Sequence, residues 1–508
     1  MQTGPVDGGR ITIRLEADPE TLNAVLQTTE DERQVLSFVN DPLIAFDQNA
    51  KPIPATATRW EVLDGGKTYV LHLDPRATFS DGQPVRASDV VFTLGKIVND
   101  QSPQFSGWFA SLDLAQTKAV DERTVRVVFK DARVAQLLAF NIAVLPEHVY
   151  GKGEFGKIRK VVGNGPYVVI SREVGRSIVL RRNARYWREK PHVEHVTFRL
   201  IADDTTAWNA LRRGDLDVGR INNSTWQRGK DEPAVQAKLD FHNIYLLSYN
   251  AILWNLSDPK LNDVRVRRAL AMSFDRNAVI EKLYFGHARP VTGPFTPEQW
   301  ANNPNVQAIE FNLQGAAALL SSAGWRDTNS DGVLDRVRDG KSEKFELRLV
   351  IPAGNQPTMD QSQILQDALA KIGVKLEVTP VDGAAMIEQV VNRNFQAAFL
   401  AWVNEPDPDP YTLFHSSQLP PEGFNVVGYA NAEADQLIDA ARVQADPIRR
   451  TELYHQLHEL LARDQPYLWT LQVATKWAVN KRVQNVKPST AGFGLFGWHP
   501  GPRSWWVK

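Results

Sequence analysis

The chain has 508 residues, 43% of them hydrophobic and 23% charged, a composition that buries a large core and excludes a disordered polymer; at about 150 residues per domain it predicts roughly three domains. Its 58 basic and 59 acidic residues give a net charge of −1, too balanced for the basic surface that binds phosphate backbones, so nucleic acid is not an expected partner. Cysteine is absent, which removes disulfides, thiolate metal centres, iron–sulfur clusters and cysteine nucleophiles together.

In chain order, the first element expected is a strand in which Ile11, Ile13 and Leu15 alternate, ended by Asp18-Pro19. Residues Trp60 to Leu73 read as two strands joined at Asp64-Gly65, where a tight hairpin finds its left-handed residues. Ser88 is the expected cap of a helix through Asp89, Val90 and Leu94. A later strand carries Val125, Val127 and Phe129. From Phe345 onward the pattern becomes a βαβ unit: strand 345–351, helix 360–372 stopped by Gly373, and strand 374–378. A second helix with Met386, Ile387, Val390 and Val391 as its stripe leads into a strand ending at Leu400-Ala401. Two amphipathic helices follow, the second opened by Asp446 as cap and Pro447 at its first position, with Leu453, Leu457, Leu460 and Leu461 facing inward. The longest apolar run, Ala397 to Val403, is about seven residues against the roughly 18 of a membrane span, so a soluble chain is expected.

The loop after the last α/β strand, Trp402-Val403-Asn404-Glu405-Pro406-Asp407-Pro408-Asp409-Pro410-Tyr411, is the most informative segment. Ligands bind open α/β sheets outside the carboxyl ends of their strands, and a proline after each acid stiffens the loop. Trp402 with Glu405 and Asp407 therefore suits a cationic or amphipathic ligand, while Asp409 is expected to cap the helix that opens at Pro410. Trp108 and Trp254, in polar loops or beside strand ends, are further candidates for a pocket wall.

A second pattern, Asp327-Thr328-Asn329-Ser330-Asp331-Gly332-Val333-Leu334-Asp335, spaces Asp327, Asn329, Asp331 and Asp335 as a calcium loop does, with glycine sixth. Its twelfth position is Arg338 where the bidentate acid belongs, so a polar turn is the favoured reading and calcium the lesser one. Gly151-Lys152-Gly153-Glu154-Phe155-Gly156 has the dinucleotide glycine spacing but follows no strand. There is no Walker A motif, nucleophile elbow or paired-histidine zinc motif, and no cofactor is expected; His455 and His458 read as polar residues on a helix surface.

Several blocks together resemble one family. They are TRWEVLDGGKTYVLHLDPRATFSDGQPVRASDVVFTL from Thr58, VGNGPYVV from Val162, RNARYWREKPHVEHVTFRL from Arg182, LNDVRVRRALAMSFDR from Leu261 and GYANAEADQLIDAAR from Gly428. In this order they are similar to the family 5 extracellular solute-binding proteins, the oligopeptide, dipeptide and nickel binding group of ABC importers.

The resemblance implies an α/β, two-lobed periplasmic binding protein fold (class C, type II-like) with an additional third domain. Lobe I would combine residues 1–45, 159–247 and 472–508, the extra domain 46–158, and lobe II 248–471. Hinge strands would pass near Tyr245 to Asn250 and near Val473 to Trp477, which adds Tyr249 and Asn250 to the candidate ligand contacts. Carried over by position, Trp402 matches a tryptophan near the ligand of peptide-binding members. Glu405 stands where those members place an Asp that pairs with the peptide's α-amino group, and Trp108 falls where the second domain offers an aromatic. The function implied is a monomeric periplasmic or extracellular receptor, its signal peptide removed, that captures an oligopeptide-like solute and delivers it to ABC permease subunits. An oligosaccharide receptor, with Trp108, Trp254 and Trp402 stacking on sugar faces, is the alternative. A hydrolase using Glu405 and Asp407 as paired carboxylates is the least favoured reading.

Overall fold

The alternation of Ile11, Ile13 and Leu15 produces a strand, Arg10–Leu15, with all three side chains buried. In the computed structural model, which describes residues 4–47, 51–100, 102–157, 160–338, 340–421, 423–489, 498 and 501–508, this strand lies inside a seven-stranded sheet. The order is Leu239–Ile244, Thr475–Asn480, Val218–Ile221, Arg10–Leu15, His195–Leu200, Ser177–Arg182 and Tyr167–Glu173. Arg10–Leu15 runs parallel to both neighbours, with Ile13 opposite Phe198 on one side and Val218 on the other. The chain divides into two compact units, one of residues 1–246 and 475–508, the other of residues 247–474. The first is discontinuous because the strand Thr475–Asn480 returns into the interior of its sheet.

The stretch 46–158 supplies a four-stranded antiparallel sheet: Ala57–Leu63, Thr68–Leu73, Thr124–Val128 and Lys118–Ala119. The first two strands are joined by a 3-10 turn, Asp64–Gly66, whose three residues all have positive φ, as the Asp-Gly pair demands. The helix Ala87–Asn99 begins before Ser88. Asp89 fixes its first turn, its carboxylate accepting from the amides of Arg86 at 2.8 Å and Glu147 at 2.9 Å; the carboxylate, one residue further on, takes the role expected of the serine hydroxyl. This sheet shares its core with the larger one, since Phe79, Leu94 and Phe109 belong to the same buried cluster as Ile13 and Phe198.

The glycine block finds its reason in close packing. A Cβ on Gly163 would stand 2.3 Å from the Val39 carbonyl oxygen, and one on Gly165 would stand 2.4 Å from the Val39 carbonyl carbon. Both press on the end of the helix Glu30–Val39. Asn164 between them is buried, accepting from the Asp41 amide at 3.0 Å and donating to Thr56 Oγ1 at 2.8 Å.

In the second unit a five-stranded sheet has the order Lys375–Val381, Glu346–Pro352, Ala397–Val403, Ser248–Trp254 and Tyr467–Trp469. The first three are parallel, and Ser248–Trp254 is antiparallel to both its neighbours. The helix within the βαβ unit, Gln356–Ala370, starts four residues earlier than its periodicity indicates because Asn355 caps it and Pro357 occupies its first turn. In the helix Gly383–Val391, Met386 and Val390 are buried while Ile387 is 49% exposed, so this short helix seats a narrower stripe than its apolar residues suggest. Pro447–Asp464 is capped by Asp446. His458 in that helix is not a surface residue: it is fully buried, with Nδ1 accepting from the Asn303 amide at 3.0 Å and Nε2 lying 2.9 Å from Thr292 Oγ1. Among the described residues, no helix is long and apolar enough to cross a membrane.

Candidate functional site

The strand Ala397–Val403 runs through Trp402 and stops two residues beyond the end expected at Leu400-Ala401. Its antiparallel register with Ser248–Trp254 sets Trp402 opposite Tyr249 and Ala401 opposite Asn250. Trp402 is half-buried, stacked on Tyr467 with ring centres 6.4 Å apart and planes 10° from parallel, and meets Phe424 edge-on. Its indole N–H, though buried, has no acceptor among the described residues. Tyr249 is buried behind it, and burial pushes its hydroxyl pKa well above the ordinary value. The Asn250 carbonyl accepts from the Thr470 hydroxyl at 2.7 Å, tying the strand to its other neighbour.

The acidic loop is held along its length. Leu247 accepts from the Asn404 amide at 2.6 Å, and Asn404 Nδ2 donates to Pro294 O and to Gln299 Oε1, both at 2.7 Å. Gln299 Nε2 in turn donates to the carbonyl of Glu405 at 2.8 Å, which fixes the backbone from which the half-buried Glu405 side chain leaves. Asp407 has a different place from the one expected of a ligand contact: its Oδ2 accepts from Arg450 at 2.8 Å. Burial pushes the Asp407 carboxyl up, with the arginine opposing that shift. Asp409 Oδ1 accepts from the Tyr411 amide at 3.1 Å, opening the helix Tyr411–Phe414, and its Oδ2 accepts from Arg442 at 3.0 Å. A carboxylate engaged by Arg450 is not the second acid that the hydrolase reading requires.

Trp254 does not join this group. It lies at the far end of the same strand, opposite Ala397, only 1% exposed in the core. Five strand steps of about 3.4 Å each separate it from Tyr249, so it forms no wall for a ligand held at Trp402. The aspartate loop is likewise turned on itself. Asp327 accepts from the amides of Asp331 and Gly332 at 3.1 and 3.0 Å, Asp335 accepts from the Thr328 hydroxyl at 2.6 Å, Asn329 donates to Asp331 at 3.1 Å, and Asp331 pairs with Lys344. These bonds build a polar turn before the hairpin Asp335–Arg338 and Lys341–Lys344. Among the described residues, no group of three or more acids and histidines could hold a metal ion.

Trp108 belongs to the first unit. It sits half-buried in the 3-10 helix Ser106–Phe109, edge-on to Phe105 with centres 5.6 Å apart, and lines a cavity of about 580 Å3. Sequence reasoning missed the other side chains here. Arg33, Arg188 and Arg503 line the same space, yet they come from three distant stretches and share no motif that could have flagged them.

The chain thus forms two units, each with a mixed sheet, the first interrupted in sequence by the second, and comparison with known proteins identifies the class. The family model of the bacterial extracellular solute-binding proteins, family 5 Middle, matches residues 51–423. The chain belongs to this family. It is 28% identical to the oligopeptide-binding protein AppA of Bacillus subtilis over 95% of this chain and 90% of that protein, and 26% identical to the dipeptide-binding protein of Escherichia coli over 92% and 90%. The structure of the Bacillus subtilis AppA in complex with a nonapeptide superposes with a TM-score of 0.82 at 26% identity, covering 99% of this chain and all of that one. NikA from Brucella suis in complex with Fe(III)-EDTA shares the fold, with a TM-score of 0.85 at 20% identity over 98% of this chain and 100% of that one. These relatives lend the sugar-binding alternative no support.

Proposed function

We propose that this protein is the solute-binding receptor of an ABC importer, that it acts as a monomer in the periplasm or outside the cell, and that it captures an oligopeptide for delivery to membrane permease subunits. The observation that carries this reading is the family match over residues 51–423 together with relatives named for peptides along 90% or more of both chains. In this reading the pinned loop after the strand Ala397–Val403 receives the amino end of the peptide. Glu405 pairs with the ammonium, and Trp402 offers its ring face and its indole N–H to the first residues. Tyr249 and Asn250 support Trp402 from the neighbouring strand, and Trp108 contributes an aromatic wall in the first unit.

A hydrogen bond to a charged partner is worth about 1.5–3 kcal/mol, so loss of the Glu405 carboxylate weakens an amine-bearing peptide by about ten- to a hundredfold. The test is calorimetry with synthetic peptides of three to nine residues and their N-acetylated forms. Peptides are expected to bind the wild type, and either acetylation or Glu405→Ala to weaken them by that factor, without the two effects adding. Unchanged affinity in Glu405→Ala overturns the ammonium role. Absence of binding to any peptide, with none co-purified in native mass spectrometry, overturns the peptide reading itself.

A further inference from the structure

The cavity in the first unit has a charge balance that the proposed amino-end contact does not explain. Among its lining residues are three arginines, Arg33, Arg188 and Arg503, and, among the described residues, no Asp, Glu, Lys or His. Arg188 and Arg503 share one acid behind the wall: Asp41, fully buried, lies 3.8 Å from the first and 2.9 Å from the second, and also accepts from the Tyr186 hydroxyl at 2.7 Å. Asp41 faces two guanidinium groups, and Asp74, the other carboxylate that acts on Arg188, is itself bound by Arg76 at 2.7 Å, so three arginines meet two acids and one positive charge is left in excess.

Arg33 adds a second. The acids beside it on the helix Glu30–Val39 are all engaged elsewhere. Glu30 pairs with Arg220 at 2.5 Å, and Asp31 accepts from the amides of Glu16 and Ala17 at 3.3 and 2.9 Å. Glu32 accepts from the amides of Thr21, Thr28 and Thr29 at 3.0, 2.7 and 3.0 Å. The half-buried Arg33 side chain has no ion-pair or hydrogen-bond partner among the described residues. Around it the wall is mainly apolar, with Leu36, Phe38, Phe46, Ile53, Phe105 and Trp108, interrupted by neutral polar side chains such as Gln27, Asn40 and Gln104. A guanidinium presents its donors in a fork that matches a carboxylate, and apolar surroundings strengthen such a pair while repelling a second cation.

We propose that this cavity seats a carboxylate-bearing, apolar part of the cargo, with Arg33 as the carboxylate's partner. The inference rests on the peptide reading above and concerns the first unit alone. The carboxylate can be the free end of the peptide or an acidic side chain, and the test separates them. Wild type and Arg33→Gln are each incubated with three synthetic libraries of randomised peptides of four to nine residues: free acids without Asp or Glu, amides containing Asp or Glu, and amides with neither. Native mass spectrometry then reads the retained peptides.

The wild type is expected to retain at least one of the first two libraries about tenfold over the third, enriched in bulky apolar residues, and the library retained identifies the source. Arg33→Gln is expected to reduce that preference to within about twofold while still retaining peptides. The comparison within the wild type needs no variant to fold. Peptides retained without regard to carboxylate, or a preference that survives in Arg33→Gln, overturn the inference and leave the peptide reading standing. No retained peptide in any library overturns the peptide reading and this inference with it.

Discussion

His458 shows how far one residue can depart from its local setting. Burial lowers its pKa to about 4, against about 6.5 in an unfolded chain. Between those values the unfolded chain holds more protons than the folded one, so the group adds no penalty above pH 6.5. The penalty then grows by about 1.36 kcal/mol per unit as the pH falls, levelling off below pH 4. Between pH 7.5 and pH 5 this one histidine is expected to remove about 2 kcal/mol of stability. Urea denaturation at the two pH values checks it: His458→Gln should flatten the slope by that amount, and an unchanged slope would rule the histidine out. The sequence places His458 on a helix and does not show its burial, because Thr292 and Asn303, which enclose it, lie more than 150 residues away, at |i−j| of 166 and 155. Trp254 teaches the same lesson in reverse. Its polar neighbours suggest exposure, while its strand runs through the core.

At the scale of elements, capping and turns were legible because their chemistry is local. Asp446 with Pro447 opens a helix and Asp64-Gly65 makes a hairpin with no help from distant residues. The stiffness of the acidic loop was legible only in part. Its prolines show in the sequence, whereas the arginines that hold it come from 33 and 43 residues further on. Arg450 is nearly buried, lies over the rings of Trp300 and Tyr454 at 4.9 and 5.5 Å, and donates to Asp407. Removing one partner of such a pair leaves the other charge buried, at about 3–5 kcal/mol. Arg450→Met is therefore expected to destabilise the protein by that much in chemical denaturation, and Asp407→Leu in the same chain to restore most of it. If the double variant is no more stable than the single one, the loop is held by something other than this pair.

For the whole molecule, the division of the chain has a direct consequence. Residues 247–474 are continuous and contain two buried clusters of their own, one around Trp254, Trp325 and Leu349, the other around Tyr249, Phe414 and Tyr454. This segment alone is expected to fold with a cooperative thermal transition. Residues 1–246 alone are not, because the strand Thr475–Asn480 that they lack sits inside the sheet, hydrogen-bonded to Leu239–Ile244 on one side and Val218–Ile221 on the other. Circular dichroism melts of the two fragments decide the matter; a cooperative transition in residues 1–246 would show that the returning strand is dispensable.

The sequence by itself determined the α/β class, the absence of thiol chemistry, the family to which the chain belongs and the loop that begins at Trp402, because periodicity, turn chemistry and ordered blocks are written in neighbouring residues. Only the tertiary structure decided which side chains share a site. It set Trp402 against Tyr249 through strand register, closed Asp407 with Arg450, withdrew Trp254 into the core and gathered Arg33, Arg188 and Arg503 around one cavity. Each of those decisions depends on contacts between residues far apart in the chain, and no local pattern encodes such a contact.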